Sequence, residues 1–283
     1  MRRLAWVVLL SGCLLHDEPD GEGPTVATPE AAEASPAPRS AGLAAVTRQA
    51  VDDAREDAED DQTPAPAPGG SGPIARPSDG PPAGASKSEL ELFAQAERAR
   101  LDDRLDDMKQ AYLQLIREFP MSPLVPDVYA ALGEHYFDRG QFEQAGRLFE
   151  KVTTFPSTPA TVWGHYMLAW CDMRSSDPAG ALDHFVRAQK GVEAGDYGSG
   201  DPARELAIAI RGDIVLPYAE AGKPARARAF FERLEGGTGT DDVPVAVQLQ
   251  RLQVLLAERG DAEGARTVCR DRIARGESVT CDP

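Results

Sequence analysis

Histidine and cysteine are scarce in this chain, four of each among 283 residues, and the scarcity removes most reaction chemistry from the outset. His16 stands in a Pro- and Ala-rich stretch, while His135, His165 and His184 fall in helix-patterned segments with no cysteine or second histidine at metal-ligand spacing. HExxH, GxSxG and a two-glycine nucleotide fingerprint are all missing. The stretch GGTGTDD at residues 236–242 lacks a Lys followed by Ser or Thr opening a helix, so it is no phosphate loop. The early acids of DEPDGEGP lack the spacing of a calcium-binding hand. Asp and Glu are so abundant that a carboxylate pair could be found anywhere, and such a pair carries no weight. These lacks predict no enzyme active site, no metal, no cofactor and no small-molecule substrate.

Positive charge is also in deficit. Thirty Lys and Arg stand against 46 Asp and Glu, a net charge of −16, which repels a phosphate backbone over most of the surface and excludes nucleic acid as a partner. The apolar run at the start, Leu4 to Leu10, is too short to span a bilayer. From Leu14 to about Ser86 large apolar side chains almost vanish among Pro, Ala, Gly and acids, so burial cannot offset the entropy of ordering. The expectation is a disordered tether of about 73 residues with a root-mean-square span of ~50 Å. Within it, residues 42–62 have the pattern of a short acidic helix.

What is present is a repeated helical hairpin. Residues 127–156 read DVYAALGEHYFDRGQFEQAGRLFEKVTTFP, with Tyr129, Leu132, Gly133 and Tyr136 at helical spacing before Gly140, and Phe142, Ala145, Phe149 and Val152 after it. Gly133 facing Ala145 is expected to let the two backbones approach closely. A turn residue followed five positions later by a small residue returns as Ser176 with Ala181, Gly222 with Ala227 and Gly260 with Ala265. Large residues four places on are Phe185, Phe231 and Cys269, and Tyr218 restores an aromatic upstream of Gly222. Leu105, Met108 and Tyr112 align with Phe142, Ala145 and Phe149. Ser86 and Ser88, each with Glu three residues on, offer capping-box starts. Thr158 with Pro159, and Asp177 with Pro178, open two further helices.

The pattern of Tyr129, Leu132 and Gly133, Tyr136, Gly140, Phe142, Ala145 and Phe149 resembles a tetratricopeptide repeat, with Pro156 near the closing proline. The resemblance implies an all-α, right-handed α-solenoid of antiparallel helix hairpins over residues 87–276, after the tether and before a short tail at 277–283. It also implies a protein-binding groove. Counted back from Ala181, Trp163, Tyr166 and Trp170 fall on groove-lining positions, with Met173 on the same stripe and Phe137 beside it, while Leu168 and Ala169 take inward positions. Two readings stay open: the stripe packs beneath neighbouring helices, or it anchors a partner. The Lys, Arg and Asn clamp that reads a chaperone's terminal carboxylate is absent, since its register here falls on Ala130, Glu134, Trp163, Tyr166 and Trp170. An apolar groove with an acidic rim would take a hydrophobic or basic protein segment instead.

The first residues, MRRLAWVVLLSGC, resemble a bacterial lipoprotein signal peptide whose lipobox is met by Leu10, Ser11, Gly12 and Cys13. That resemblance implies removal of residues 1–12 and lipid on Cys13, with 13–86 a lipid-anchored linker. Several acyl chains make such an anchor permanent. Leu14 after the cysteine points to the outer membrane, periplasm-facing. In an oxidising envelope Cys269 and Cys281 are expected to form a disulfide, with Cys171 buried and unpaired. The functional expectation is a lipid-anchored scaffold that holds a protein of an outer-membrane assembly, division or motility complex. The alternative is a peptidoglycan- or glycan-binding accessory in which the same aromatics stack on sugar rings.

Overall fold

In the computed structural model, which describes residues 72–77, 83–234 and 243–281, every regular element among the described residues is a helix. The hairpins are α1 (Lys87–Leu101) with α2 (Leu105–Glu118), α3 (Val125–Asp138) with α4 (Phe142–Thr153), and α5 (Pro159–Arg174) with α6 (Pro178–Glu193). Then α7 (Asp201–Asp213) runs into α8 (Val215–Ala221), which pairs through a 3-10 turn (Pro224–Arg226) with α9 (Ala227–Leu234). The last pair is α10 (Val245–Glu258) and α11 (Ala262–Ala274). Each pair packs on the next, so the described residues form an α-solenoid of stacked helix hairpins.

The starts follow from local chemistry. Ser86 caps α1 in a reciprocal box with Glu89, and Ser88 lies inside the helix rather than at its cap. Thr158 caps α5, Asp177 accepts the Gly180 amide at 3.0 Å, and Asp261 repeats that cap with Gly264 at 2.8 Å. Four hairpin turns share one geometry. The amides of Arg104, Gln141, Asp177 and Asp261 return to the carbonyls of Ala99, Tyr136, Asp172 and Leu256 at 2.8 to 2.9 Å. The residue before each amide is left-handed: Asp103, Gly140, Ser176 and Gly260, with φ of 55°, 76°, 62° and 82°. The spacing of five therefore measures a left-handed turn followed by the first inward position of the next helix. Gly222 breaks the series with φ −77° and ψ 169°, where the 3-10 turn replaces the common one.

Ala145, Ala181, Ala227 and Ala265 are buried between helices, as are Leu132, Phe149 and Phe231. Gly133 differs from expectation in its neighbour: a Cβ there would lie 2.8 Å from the Phe149 ring, so the close approach is to an aromatic face rather than to Ala145. Phe142 meets Phe137 edge-on at 5.1 Å, and Tyr218 lies 5.0 Å from Phe231. Pro217 explains the break between α7 and α8. It has no N–H for the Asp213 carbonyl, and its ring crowds that oxygen, so the helix bends at Ile214.

Residues 72–77, within the stretch expected to be a tether, have no regular secondary structure and lie against the helices, with Ile74 packed on the core. The expected signal peptide at residues 1–12, Cys13 and the helix expected at residues 42–62 fall outside the described residues, as do 78–82.

Candidate protein-interaction site

Helix α5 is apolar on nearly every face, and a helix of that kind can only be stable when surrounded. All its residues from Ala160 to Cys171 are buried except His165. Of the two readings left open for the stripe, the packed one describes this structure, against the assignment to a partner-binding groove: Trp163, Tyr166, Trp170 and Phe137 belong to the core, and Met173 is half-buried against it. Tyr166 and Trp170 meet Phe185 of α6 edge-on at 5.8 and 6.2 Å, while Trp163 lies 5.1 Å from Tyr166. Leu168 and Ala169 are buried as well, so both readings of the register place apolar side chains inside.

The polar tips of Trp163 and Tyr166 are both engaged. Trp163 Nε1 donates to Glu134 Oε1 at 2.7 Å, and the Tyr166 hydroxyl donates to Asp213 at 2.8 Å. Burial raises the Tyr166 phenol, and it pushes Asp213 up to about 6 against the opposing pull of Tyr166, Arg251 and Trp170.

Residues 72–77 cover this face. The Ile74 amide donates to the Tyr166 hydroxyl at 3.1 Å, and the Tyr197 hydroxyl donates to the Pro77 carbonyl. Between them the Arg76 guanidinium pairs with Asp127 at the start of α3. Burial works against the Arg76 charge, but Asp127 and then Glu134 outweigh it and hold the pKa above the ordinary value. Glu134 responds in the opposite sense: desolvation raises its carboxyl, while Arg76, Trp163 and Arg100 draw it down. Glu97 adds a third carboxylate, shared between Arg100 and the Tyr112 hydroxyl.

Sequence reasoning missed Ile74, Arg76 and Tyr197, the last in the glycine-rich stretch 191–201 between α6 and α7. A signal was present. Ile74 is the only large apolar side chain and Arg76 the only cation between residues 63 and 86, and Tyr197 is the only aromatic in that glycine-rich stretch.

His165 and His184, on facing helices, stack with Nδ1 atoms 3.1 Å apart, and His184 lies 3.8 Å from Asp172. Burial, then His184 itself, pushes His165 down to about 4, and burial with Asp177 and Glu150 pushes Asp172 up to about 6. Among the described residues no group of three or more His, Cys, Asp or Glu is arranged to hold a metal ion, and no helix is long and apolar enough to cross a membrane. Cys269 and Cys281 are bonded, with Cα atoms 5.6 Å apart, and Cys171 is buried and free, its thiol pushed up to about 12 by desolvation.

A family model described as tetratricopeptide repeat matches residues 126–151, the α3–α4 hairpin. No curated protein matches the sequence. Among solved structures, BtubC (BKLC) from P. vanneervenii is similar at 14% identity, over 86% of this protein and 94% of that one, with a TM-score of 0.44. The chain therefore contains a tetratricopeptide repeat at residues 126–151, flanked by hairpins that share its left-handed turn and buried alanine.

Proposed function

We propose that this protein is a lipid-anchored scaffold of the bacterial envelope, attached to the outer membrane through Cys13, facing the periplasm and holding one protein of an assembly, division or motility complex. A tetratricopeptide repeat is a protein-interaction module, and that coarser role follows from the family. The observation that carries the reading is the first-helix face of α3, α5 and α7, where residues 72–77 are held by tyrosine hydroxyls that bond their backbone and by carboxylates around Arg76. The LSGC sequence at Leu10 to Cys13 and the disulfide at Cys269 support an envelope location. No enzymatic role is proposed. The glycan alternative loses its support, because stacking needs an open ring face and Trp163, Tyr166 and Trp170 are buried.

Metabolic labelling with a fatty acid tests the anchor: label on the wild type that disappears in Cys13→Ser is the expected result, and equal label in both overturns it. Pull-down from envelope membranes with the lipidated full-length protein tests the scaffold. A protein recovered in stoichiometric amount is expected; repeated recovery of none overturns the role.

A further inference from the structure

Residues 72–77 make the kinds of contact by which one polypeptide reads another. Tyr166 reads a backbone amide at Ile74 and Tyr197 reads a backbone carbonyl at Pro77, two contacts that any extended peptide could supply. Selectivity comes between them. The pocket around Arg76 holds Asp127 and Glu134, with Arg100 acting on Glu134 from α1, so removing Arg76 leaves two carboxylates without their nearest cation. The Glu134 carboxyl is desolvated and its other partner is an indole N–H, so a second guanidinium satisfies charge as well as hydrogen bonding. Ile74 occupies the apolar side of the same face.

We propose that the first-helix face is a receptor for extended segments of the form apolar–any–Arg–Pro, that residues 74–77 are its built-in ligand, and that a partner segment of this chemistry binds by displacing them. The inference rests on the scaffold reading above and names both its partner class and its regulation. Nine residues, 78–86, join the built-in ligand to α1. So short a tether holds it at an effective concentration on the order of 1 mM, which suppresses an external segment of intrinsic Kd ~0.1 mM about tenfold. The face is thus closed at low partner concentration and opens when the partner is abundant or multivalent.

The probe is a fluorescein-labelled peptide of sequence Gly-Pro-Ile-Ala-Arg-Pro, titrated by anisotropy against the full-length protein. Arg76→Ala in the protein should bind it about tenfold more tightly than wild type. The peptide with Ala for Arg should bind at least tenfold more weakly to that variant, as should the original peptide to the double variant Arg76→Ala, Asp127→Asn. Equal affinity for wild type and Arg76→Ala, or for the two peptides, overturns the proposal. A second measurement does not depend on any variant folding. Saturating peptide on the wild-type protein should accelerate hydrogen exchange at the Ile74 amide, and unchanged exchange overturns displacement. Recovery of a partner from membranes with no peptide binding refutes this inference alone, whereas peptide binding without any recovered partner refutes the scaffold reading alone.

Discussion

The stretch from α3 to α6 and the stretch from α7 to α11 solve the same stacking problem with different materials. In the first, regular turns bring helices together closely enough for apolar side chains to fill the interior, and α5 is enclosed on almost every side. In the second, Pro217 breaks a helix, and side chains of α10 supply hydrogen bonds at the break: Gln248 Nε2 donates to the Arg211 carbonyl at 2.7 Å and Arg251 Nη1 to the Gly212 carbonyl at 2.6 Å. Arg211, Gln248 and Arg272 are buried there, and Arg272 bonds Gln253 at 2.8 Å and Glu277 at 2.7 Å. A regular repeat can rely on volume alone. An interrupted one must answer each exposed backbone group with a polar side chain.

That contrast can be broken at several points. Trp163→Ala removes a large core side chain and leaves Glu134 without its indole donor, so a loss of ~3 to 5 kcal/mol is expected in denaturant unfolding. A normal melt would return the stripe to the surface. In the second region Cys281→Ser opens a ring of sequence separation 12 and should cost about 3 kcal/mol by the loop-entropy relation. Reductant should lower the wild-type Tm to that of the variant and leave the variant itself unmoved. Gly133→Ala drives a Cβ to 2.8 Å from the Phe149 ring, an overpacking cost of ~1 to 3 kcal/mol. Gly146→Ala in the same hairpin, whose added Cβ meets only Cys171 Cβ at 3.9 Å, should instead stabilise by ~0.5 to 1 kcal/mol. Gln248→Met keeps volume but removes the donor to the Arg211 carbonyl, for ~1 to 3 kcal/mol; a neutral result would mean that the polar stitching is dispensable.

The smallest expected effect is a pH dependence at Asp213. Its carboxyl is raised from 3.8 to about 6, so the fold holds that proton more tightly than the unfolded state does. The stabilisation is fully present below the unfolded value and is lost as pH rises through about 6. Asp213→Asn should therefore compare best with wild type at pH 7 and progressively worse towards pH 5. Taking the difference between the two proteins cancels His135 and His165, which are lowered to about 4 and lose stability in the opposite direction over the same range. A pH-independent difference would show that Asp213 does not titrate in this window.

The hairpins were legible because their determinants are local. A left-handed turn at Gly140, Ser176 or Gly260 and an alanine five residues on are written within one loop and one helical turn, as are the caps at Ser86, Thr158 and Asp177. The burial of Trp163, Tyr166 and Trp170 was not legible, since α5 is apolar towards both its own hairpin and the opposite face, and periodicity cannot rank two apolar faces. Nor was the covering segment. Its contacts join residues 92 and 120 positions apart, Ile74 to Tyr166 and Pro77 to Tyr197, and one isoleucine with one arginine makes no period. The histidine pair escaped for the same reason, because a metal-like spacing search looks along the sequence while His165 and His184 meet across two helices.

A linear stack has two ends, and thermal fluctuation opens it from whichever is less firmly closed. Here the last end is stapled: the Cys269–Cys281 bond returns the tail to α11, and Glu277 is gripped by Arg272 at 2.7 Å and by Arg228 at 3.4 Å. The solenoid should therefore unzip in one direction, from α1 towards α11. The helix that loosens first is α1, which carries Glu97 and Arg100. The contacts of Ile74 and Arg76, on α5 and α3, lie inward of that frayed end, with the stapled end as the fixed frame.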